Sequence, residues 1–319
     1  MVVCLAIILF TVLAANFWRF LPPDQNLIRA VSIYTEILTG TTVVGVDFSE
    51  LTTTLGNYAV KRSSENPVIA ALMVRLLKDA GATLDSVLAI NASGSFPGFL
   101  LAALSATTAL GIETYVIASI GSSTFGANMP GNTIADMLLQ DSVRALNFTL
   151  LAVTPGGSAD RGPELAYEEL ERVALMLENH GIPFIRPENL AQAIALRKSL
   201  FNSVNTALLM NIGGSHASIG DDVEVALMSG VIKPEPNMVF YDAGLVQHFL
   251  MSGKPVIQIL NVNRLYESYD LVFDKNGHLL AGGDRLFQYT RLSPLVALLP
   301  ILGMLSFLVV RLTDRKTNP

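Results

Sequence analysis

Short apolar runs alternate with longer segments of helical spacing along most of this sequence. Four of the runs are bounded by polar residues and predict buried strands. They are residues 87–90, 114–118, 148–154 and 206–212. Segments with apolar residues at helical spacing separate most of them, the clearest being 27–38, 68–80, 99–110, 163–179 and 187–201. Strands alternating with helices predict an α/β fold with a mostly parallel sheet covered on both faces.

Weaker patterns fill the intervals. Residues 43–48, 182–185, 255–262 and 271–273 are apolar and short, and we expect strands there. Residues 136–146 and 244–252 have helical spacing, whereas the polar, proline-bearing segment 221–237 is expected to be a loop.

Each of the four clear strands is followed by a turn rich in glycine and hydroxyl residues. These turns are residues 91–98, 121–128, 155–162 and 213–220. In an open α/β sheet, ligands bind beyond the carboxyl ends of the strands. Turns at that edge offer free backbone N–H groups, which suit an anion. The sequence therefore predicts an anion site built from these turns.

The candidate ligand-binding residues are donors within or near these turns. They are Lys61, Ser93, Ser95, Ser122, Ser123, Asn128, Arg161, Gly213 and Gly214. Hydroxyl, amide and cationic groups bind carboxylates or phosphates. The alternative is that the hydroxyls only satisfy the turns and that Lys61 is a solvated surface charge.

Catalysis is a second interpretation of the same turns. Ser95 or Ser123 would be the nucleophile and His216 an acid or base. The hydrolase pattern G-x-S-x-G is not met, because Phe96 and Pro97 follow Ser95. Nucleophilic catalysis therefore remains the alternative to binding.

The two ends of the chain contain long apolar runs. Of the 319 residues, 51% are hydrophobic and only 15% are charged. Uncharged apolar runs at 2–17 and 292–310 predict transmembrane helices at 1–18 and 291–311. We expect an extracytoplasmic domain at 19–290 and a cytoplasmic tail at 312–319, in a bacterial cell membrane with two spans. A cleaved signal peptide is the alternative for the first run.

Several ligand classes lack support. The net charge is −6 and no basic block is present, which argues against nucleic acid. There is no phosphate-binding G-x-x-x-x-G-K-[ST] motif and no G-x-G-x-x-G. The histidines lack the spacing of metal ligands. We expect neither a metal nor a cofactor.

A series of short motifs resembles the bacterial poly-gamma-glutamate system protein family. The motifs are VVGVD (43–47), TTTLG (52–56), KR (61–62) with NP (66–67), SGSFP (93–97), GSSTFGAN (121–128) and NIGG (211–214) with Gly220. The resemblance extends from about residue 25 to about residue 270. It implies a membrane component associated with making or exporting the polyglutamate capsule, and it leaves the reaction open.

Three hypotheses follow. The first is an accessory component of poly-gamma-glutamate biosynthesis or export that binds the anionic polymer or its fragments. The second is a membrane-anchored serine amidohydrolase acting on the gamma-glutamyl polymer. The third is a non-catalytic scaffold for other capsule-synthesis membrane proteins. The expected partners are the polymer, those proteins and the lipid bilayer.

Overall fold

The computed structural model describes residues 24–220, 222–235 and 244–287. The helices are α1 (Gln25–Gly40), α2 (Tyr58–Ser63), α3 (Val68–Asp79), α4 (Pro97–Leu110), α5 (Ile134–Leu138), α6 (Asp141–Arg144), α7 (Tyr167–Glu178), α8 (Leu190–Ser203), α9 (His216–Ile219), α10 (Val223–Leu227), α11 (Leu245–Met251), α12 (Val262–Ser268) and α13 (Gly283–Phe287). The strands are β1 (Thr52–Thr54), β2 (Val87–Ser93), β3 (Glu113–Ser119), β4 (Ser122–Ser123), β5 (Thr149–Thr154), β6 (Leu208–Ile212), β7 (Gly230–Ile232), β8 (Val256–Ile259), β9 (Val272–Phe273) and β10 (Leu279–Ala281).

The central sheet has six strands in the order β5-β3-β2-β6-β8-β7. The first five run parallel, and β7 pairs antiparallel with β8. Two small sheets, β1-β4 and β9-β10, lie outside it. The α/β class with a mostly parallel, mixed sheet is therefore what the structure shows.

Helices cover both faces of the sheet. On one face the strand residues Ala89, Ile117 and Leu209 pack with Phe201 of α8 and Phe249 of α11 in one apolar cluster. On the other face α4 contacts β2 and β3 and is itself packed between α1 and α3. Because α4 is enclosed by these elements, almost all of its side chains are buried, which explains why its sequence is apolar all round.

Some local predictions differ from the structure. The expected strand at 182–185 is absent apart from a single bridge between Phe184 and Val153, and the helix expected at 136–146 is divided into α5 and α6. Residues 43–48 form no strand, because their polar backbone bonds to the turn at 121–128 instead: the N–H of Gly45 donates to the carbonyl of Phe125 at 3.1 Å. The expected loop at 221–237 contains α10 and β7. Since β7 has only three residues, its alternation is too short to distinguish it from a loop in the sequence.

The expectation of flanking transmembrane helices is corrected by the structure. No helix in the described part of the chain is long and apolar enough to cross a membrane. The expected spans at 1–18 and 291–311, and the tail at 312–319, lie outside the described residues. The two-span membrane location and the extracytoplasmic side of the domain are therefore not supported. Residues 25–283 form one compact unit.

Candidate functional site

The four glycine- and hydroxyl-rich turns meet at one edge of the central sheet. Because β2, β3, β5 and β6 are parallel, their carboxyl ends all emerge at that edge. A cavity of about 420 Å³ opens there and is lined by residues of all four turns, of the segment 53–61 and of the segment 260–263. We call this cavity the rim pocket. Its donors come from positions more than 150 residues apart, between Thr53 and Asn263.

Close backbone approach brings the turns together. The N–H of Gly94 donates to the carbonyl of Ser119 at 2.8 Å, and the N–H of Gly121 donates to the carbonyl of Pro155 at 2.8 Å. A Cβ on Gly156 would lie 2.9 Å from the nitrogen of Gly121, and Gly156 has a φ of +77°. Glycine is therefore required there by both the contact and the conformation.

Lys61 is the cation at the floor of the rim pocket. Only 3% of its surface is exposed. Its Nζ donates to the backbone carbonyl of Ser95 and lies 3.6 Å from the centre of the Phe96 ring. Its position at the end of α2 is fixed by Asn57, whose side chain caps that helix.

Burial lowers the pKa of Lys61 to about 7. The reason is that an ammonium loses its hydration inside the protein, so the neutral amine is favoured. Near neutral pH this lysine therefore exists in comparable amounts as ammonium and as free amine. The second form is a base, whereas the sequence predicted Lys61 only as a donor to an anion or as a solvated surface charge.

Two serines of neighbouring turns also line the pocket. The Oγ of Ser95 accepts the backbone N–H of Ser123 at 3.0 Å, which joins the two turns. The hydroxyl of Ser123 has no hydrogen-bond partner among the described residues, and the side chain borders the cavity. Gly56 shows how near Ser123 and Lys61 are: a Cβ there would lie 2.8 Å from Ser123 Oγ and 3.2 Å from Lys61 Cε.

Ser93 contributes an unsatisfied hydroxyl. Its Oγ is buried without a hydrogen-bond partner in the described part of the chain, and the residue lines the pocket. It lies against Gly213, where a Cβ would meet it at 2.2 Å. A buried polar atom without a partner costs free energy. A ligand that supplied an acceptor would remove that cost.

The rim of the pocket is polar and exposed. His216, at the start of α9, accepts the backbone N–H of Ala159 on its Nδ1 at 3.4 Å, which leaves its Nε2 free to donate to a ligand. Glu164 accepts the N–H of Ser158 at 2.8 Å, which holds the turn after β5 in shape. Within the described residues, the N–H groups of Gly157 and Gly214 have no hydrogen-bond partner.

The sequence-predicted residues divide into two groups. Those that line the pocket are Lys61, Ser93, Ser95, Ser123, Gly214 and His216. The others do not line it, namely Ser122, Asn128, Arg161 and Gly213.

Each residue of the second group has another place in the structure. Ser122 donates to the carbonyl of Gly94 at 2.9 Å, and Asn128 donates to Val46 and Thr52. Gly213 bonds through its N–H to Ile259 at 2.9 Å. Arg161 is exposed to solvent. The first three therefore support the turns rather than facing the cavity.

A buried ion pair beneath the pocket was not identified from the sequence. Arg197 of α8 bonds to both carboxylate oxygens of Asp160, at 2.7 and 3.1 Å, and both side chains are 1% exposed. Arg197 also donates to Thr154 at 3.0 Å. The pair fastens the turn after β5 to a helix on the face of the sheet. The sequence signal was the spacing of Arg197, which lies four residues after Ala193 and four before Phe201 and so shares their buried side of α8.

A row of amide side chains continues from this pair across the sheet. Asn91 accepts from Arg197 at 2.9 Å and donates to Asn211 at 3.1 Å, and Asn211 donates to Gln258 at 2.9 Å. The three amides occupy paired positions on β2, β6 and β8. Asn211 also donates to the carbonyl of Gly213 at 2.8 Å. This row therefore links the buried ion pair to the turn after β6.

The described residues contain no group of three or more His, Cys, Asp or Glu side chains that could hold a metal ion.

Comparison with known proteins adds little. No protein-family model matches the chain. No curated protein sequence matches it either. Among solved structures, an L-serine ammonia-lyase from the fungus Rhizomucor miehei is 13% identical over 69% of this chain and 75% of that chain, with a TM-score of 0.14. A match with so low a TM-score supports no statement about fold or activity.

Proposed function

We propose that the protein is a component of poly-gamma-glutamate biosynthesis or export that binds a gamma-glutamyl chain end or fragment in the rim pocket. The motif series 43–220 supports the pathway, because the resemblance lies in the segments that build the pocket and its supports. The observation that carries the proposal is the meeting of four donor-rich turns at one cavity.

The chemistry of the rim suits carboxylates. Gly157 and Gly214 offer N–H groups that no described protein atom accepts, and His216 offers Nε2. Backbone N–H groups grouped in this way bind anions without a fixed positive charge. The floor, with Ser93, Ser123 and Lys61, suits the amide that links two glutamyl units, because it combines hydroxyls with an amine.

The size of the cavity indicates a short ligand. About 420 Å³ falls in the range of small-molecule pockets. The chain as a whole carries a net charge of −6, so long-range attraction does not draw a polyanion to it. Recognition is therefore local, and we expect affinity for the ligand to depend only weakly on salt.

A pocket-filling variant tests this proposal. Ser158 lines the pocket but is exposed, so Ser158→Trp obstructs the cavity with little strain on the fold. Ser142→Trp is the matched control, because Ser142 is an exposed serine on α6 that does not line the pocket. Binding of a gamma-linked glutamate oligomer to the full chain is measured by calorimetry. The neutral ligand is the same oligomer with its alpha-carboxylates converted to carboxamides, that is, a gamma-linked isoglutamine oligomer.

We expect Ser158→Trp to weaken binding of the glutamate oligomer at least about tenfold, or about 1.4 kcal/mol. Ser142→Trp should bind as the wild type does, and the neutral oligomer should bind less tightly than the glutamate oligomer. Equal affinity of the wild type and Ser158→Trp would reject the pocket. Equal affinity for the two oligomers would reject carboxylate recognition.

A further inference from the structure

The floor of the rim pocket combines an unbonded hydroxyl with a buried amine. Ser123 Oγ and Lys61 Cε both lie within 3.2 Å of the single point that a Gly56 Cβ would occupy. Within the described chain Ser123 has no hydrogen-bond partner for its hydroxyl, and Lys61 is held from the other side by Ser95 and Phe96. Both side chains are buried, yet both border the cavity. The hydroxyl and the lysine side chain are therefore neighbours at the floor of the pocket, with Nζ on the Ser95 carbonyl. When Nζ turns from that carbonyl to Ser123 Oγ, the two groups form a nucleophile and its base.

We propose that Ser123 and Lys61 form a catalytic pair that hydrolyses the gamma-linked amide of a ligand bound in the rim pocket. The identity of that amide rests on the proposed function, whereas the pairing of nucleophile and base does not. Ser123 is the nucleophile and Lys61 the base. Neither a metal nor a cofactor enters the reaction.

The first half of the reaction forms an acyl-enzyme. Ser123 Oγ bonds to the amide carbonyl carbon while its proton passes to the neutral Nζ of Lys61. The carbonyl electron pair moves to oxygen. The N–H of Ser95, in the neighbouring turn 91–98, has no hydrogen-bond partner among the described residues and is the donor that binds that oxyanion. The C–N bond then breaks, and the leaving nitrogen takes the proton from Lys61.

Water completes the second half. Its oxygen bonds to the acyl carbon as Lys61 takes its proton, the bond to Ser123 Oγ breaks, and Oγ recovers the proton from Lys61. The products are a free carboxylic acid and a free amine, so one water is consumed for each amide cleaved. The enzyme returns to its starting protonation state.

The environment of Lys61 favours the base form near neutral pH. Burial lowers its pKa to about 7 and is the cause of that shift. The other titratable groups on α2 and around the pocket include Tyr58, Arg62, Glu65, Tyr34, Tyr266, Glu164 and His216. Arg62 is paired with Glu65, so its charge does not face the amine uncompensated.

A fluorophosphonate probe tests the nucleophile without reference to the substrate. It is applied to the full chain, and the labelled residue is located by mass spectrometry. We expect the wild type to be labelled at Ser123, with a rate that rises as pH is raised through about 7 because the amine must be neutral. Ser123→Ala should be unlabelled, whereas Ser142→Ala, at an exposed serine, should be labelled as the wild type is.

Lys61→Ala tests the base by chemical rescue. We expect labelling to fall at least about tenfold and to be partly restored by added methylamine, because a small amine can occupy the space left by the side chain. A purely structural lysine would show no rescue. If Lys61→Ala does not fold, the pH dependence of the labelling rate of the wild type tests the base instead.

The outcomes separate this proposal from the previous one. Labelling of Ser123 and release of glutamyl units from the oligomer would support the pair. A chain that binds the oligomer but neither labels nor cleaves would overturn the pair and leave binding intact. Labelling of Ser123 without binding of the oligomer would keep the pair and reject the gamma-glutamyl ligand.

Discussion

The environment of Lys61 in the folded chain differs from the one that its sequence neighbours predict. In the sequence it is half of an adjacent basic pair, which is typical of a solvated surface. In the structure it is buried while its neighbour Arg62 pairs with Glu65. Burial depends on Ser95 and Phe96, which lie more than 30 residues away along the chain. No local pattern could have predicted the altered pKa.

The stability of the fold should depend on pH through this lysine. Its pKa is about 7 when folded, against about 10.4 in an unfolded chain. Below pH 7 both states hold the proton. Between these values the unfolded state binds more protons, so stability increases with pH, by on the order of 1 kcal/mol per unit.

Lys61→Met isolates this effect, because other titrating groups cancel in the comparison. The free energy of unfolding is measured by urea denaturation of the wild type and the variant at pH 6, 7, 8 and 9. We expect the difference, wild type minus variant, to rise only slightly from pH 6 to 7 and more steeply above pH 7, by on the order of 1 kcal/mol per pH unit. A difference that does not change over the whole range would contradict a buried lysine with a lowered pKa.

At the scale of elements, most strands and helices were predictable, including the weakly patterned segments 244–252, 255–262 and 271–273, which contain α11, β8 and β9. The runs at 87–90, 114–118, 148–154 and 206–212 each became a strand of the central sheet, because a parallel strand buried on both faces has a continuous apolar sequence. Residues 43–48 have the same composition but bond to the turn at 121–128. The apolar pattern of residues 43–48 does not show whether their backbone bonds to another strand or to a turn.

The ion pair between α8 and the turn after β5 is an element-scale connection. Arg197 and Asp160 are each 1% exposed, and neither has another buried opposite charge in contact among the described ion pairs. Removing one partner leaves the other buried and unpaired, which costs roughly 3–5 kcal/mol. We therefore expect Arg197→Met to destabilise the fold by that amount, measured by urea denaturation.

The exposed pair Arg186–Glu171 is the matched control, because its side chains are 45% and 41% exposed. Glu171→Gln should cost less than about 1 kcal/mol. Equal losses in the two variants would show that the pair beneath the pocket contributes no more than a surface contact.

At the scale of the whole molecule, the site was predictable in part. Parallel strands explain why the four turns share an edge, and that follows from the alternation of strands and helices. The sequence did not distinguish turn residues that face the cavity, such as Ser123, from those that support it, such as Asn128. That distinction depends on side-chain direction in irregular backbone, for which no periodicity exists.

The segments 53–57 and 260–263 complete the pocket from outside the four turns. Thr53 belongs to β1, which pairs with β4 in a separate two-stranded sheet, and Asn261 caps α12. Both placements depend on contacts between distant parts of the chain. The complete outline of the pocket therefore emerges only from the assembled fold.

Hydrogen–deuterium exchange of the full chain, with and without a gamma-linked glutamate oligomer, tests the central claim most directly. If the four turns donate N–H groups to one ligand, exchange should slow together in peptides covering 93–98, 121–126, 156–161 and 213–216. Peptides from α6 and α7, away from the pocket, should be unchanged. Unaltered exchange in the turns at saturating oligomer, or protection confined to another surface, would contradict a ligand site at this edge of the sheet.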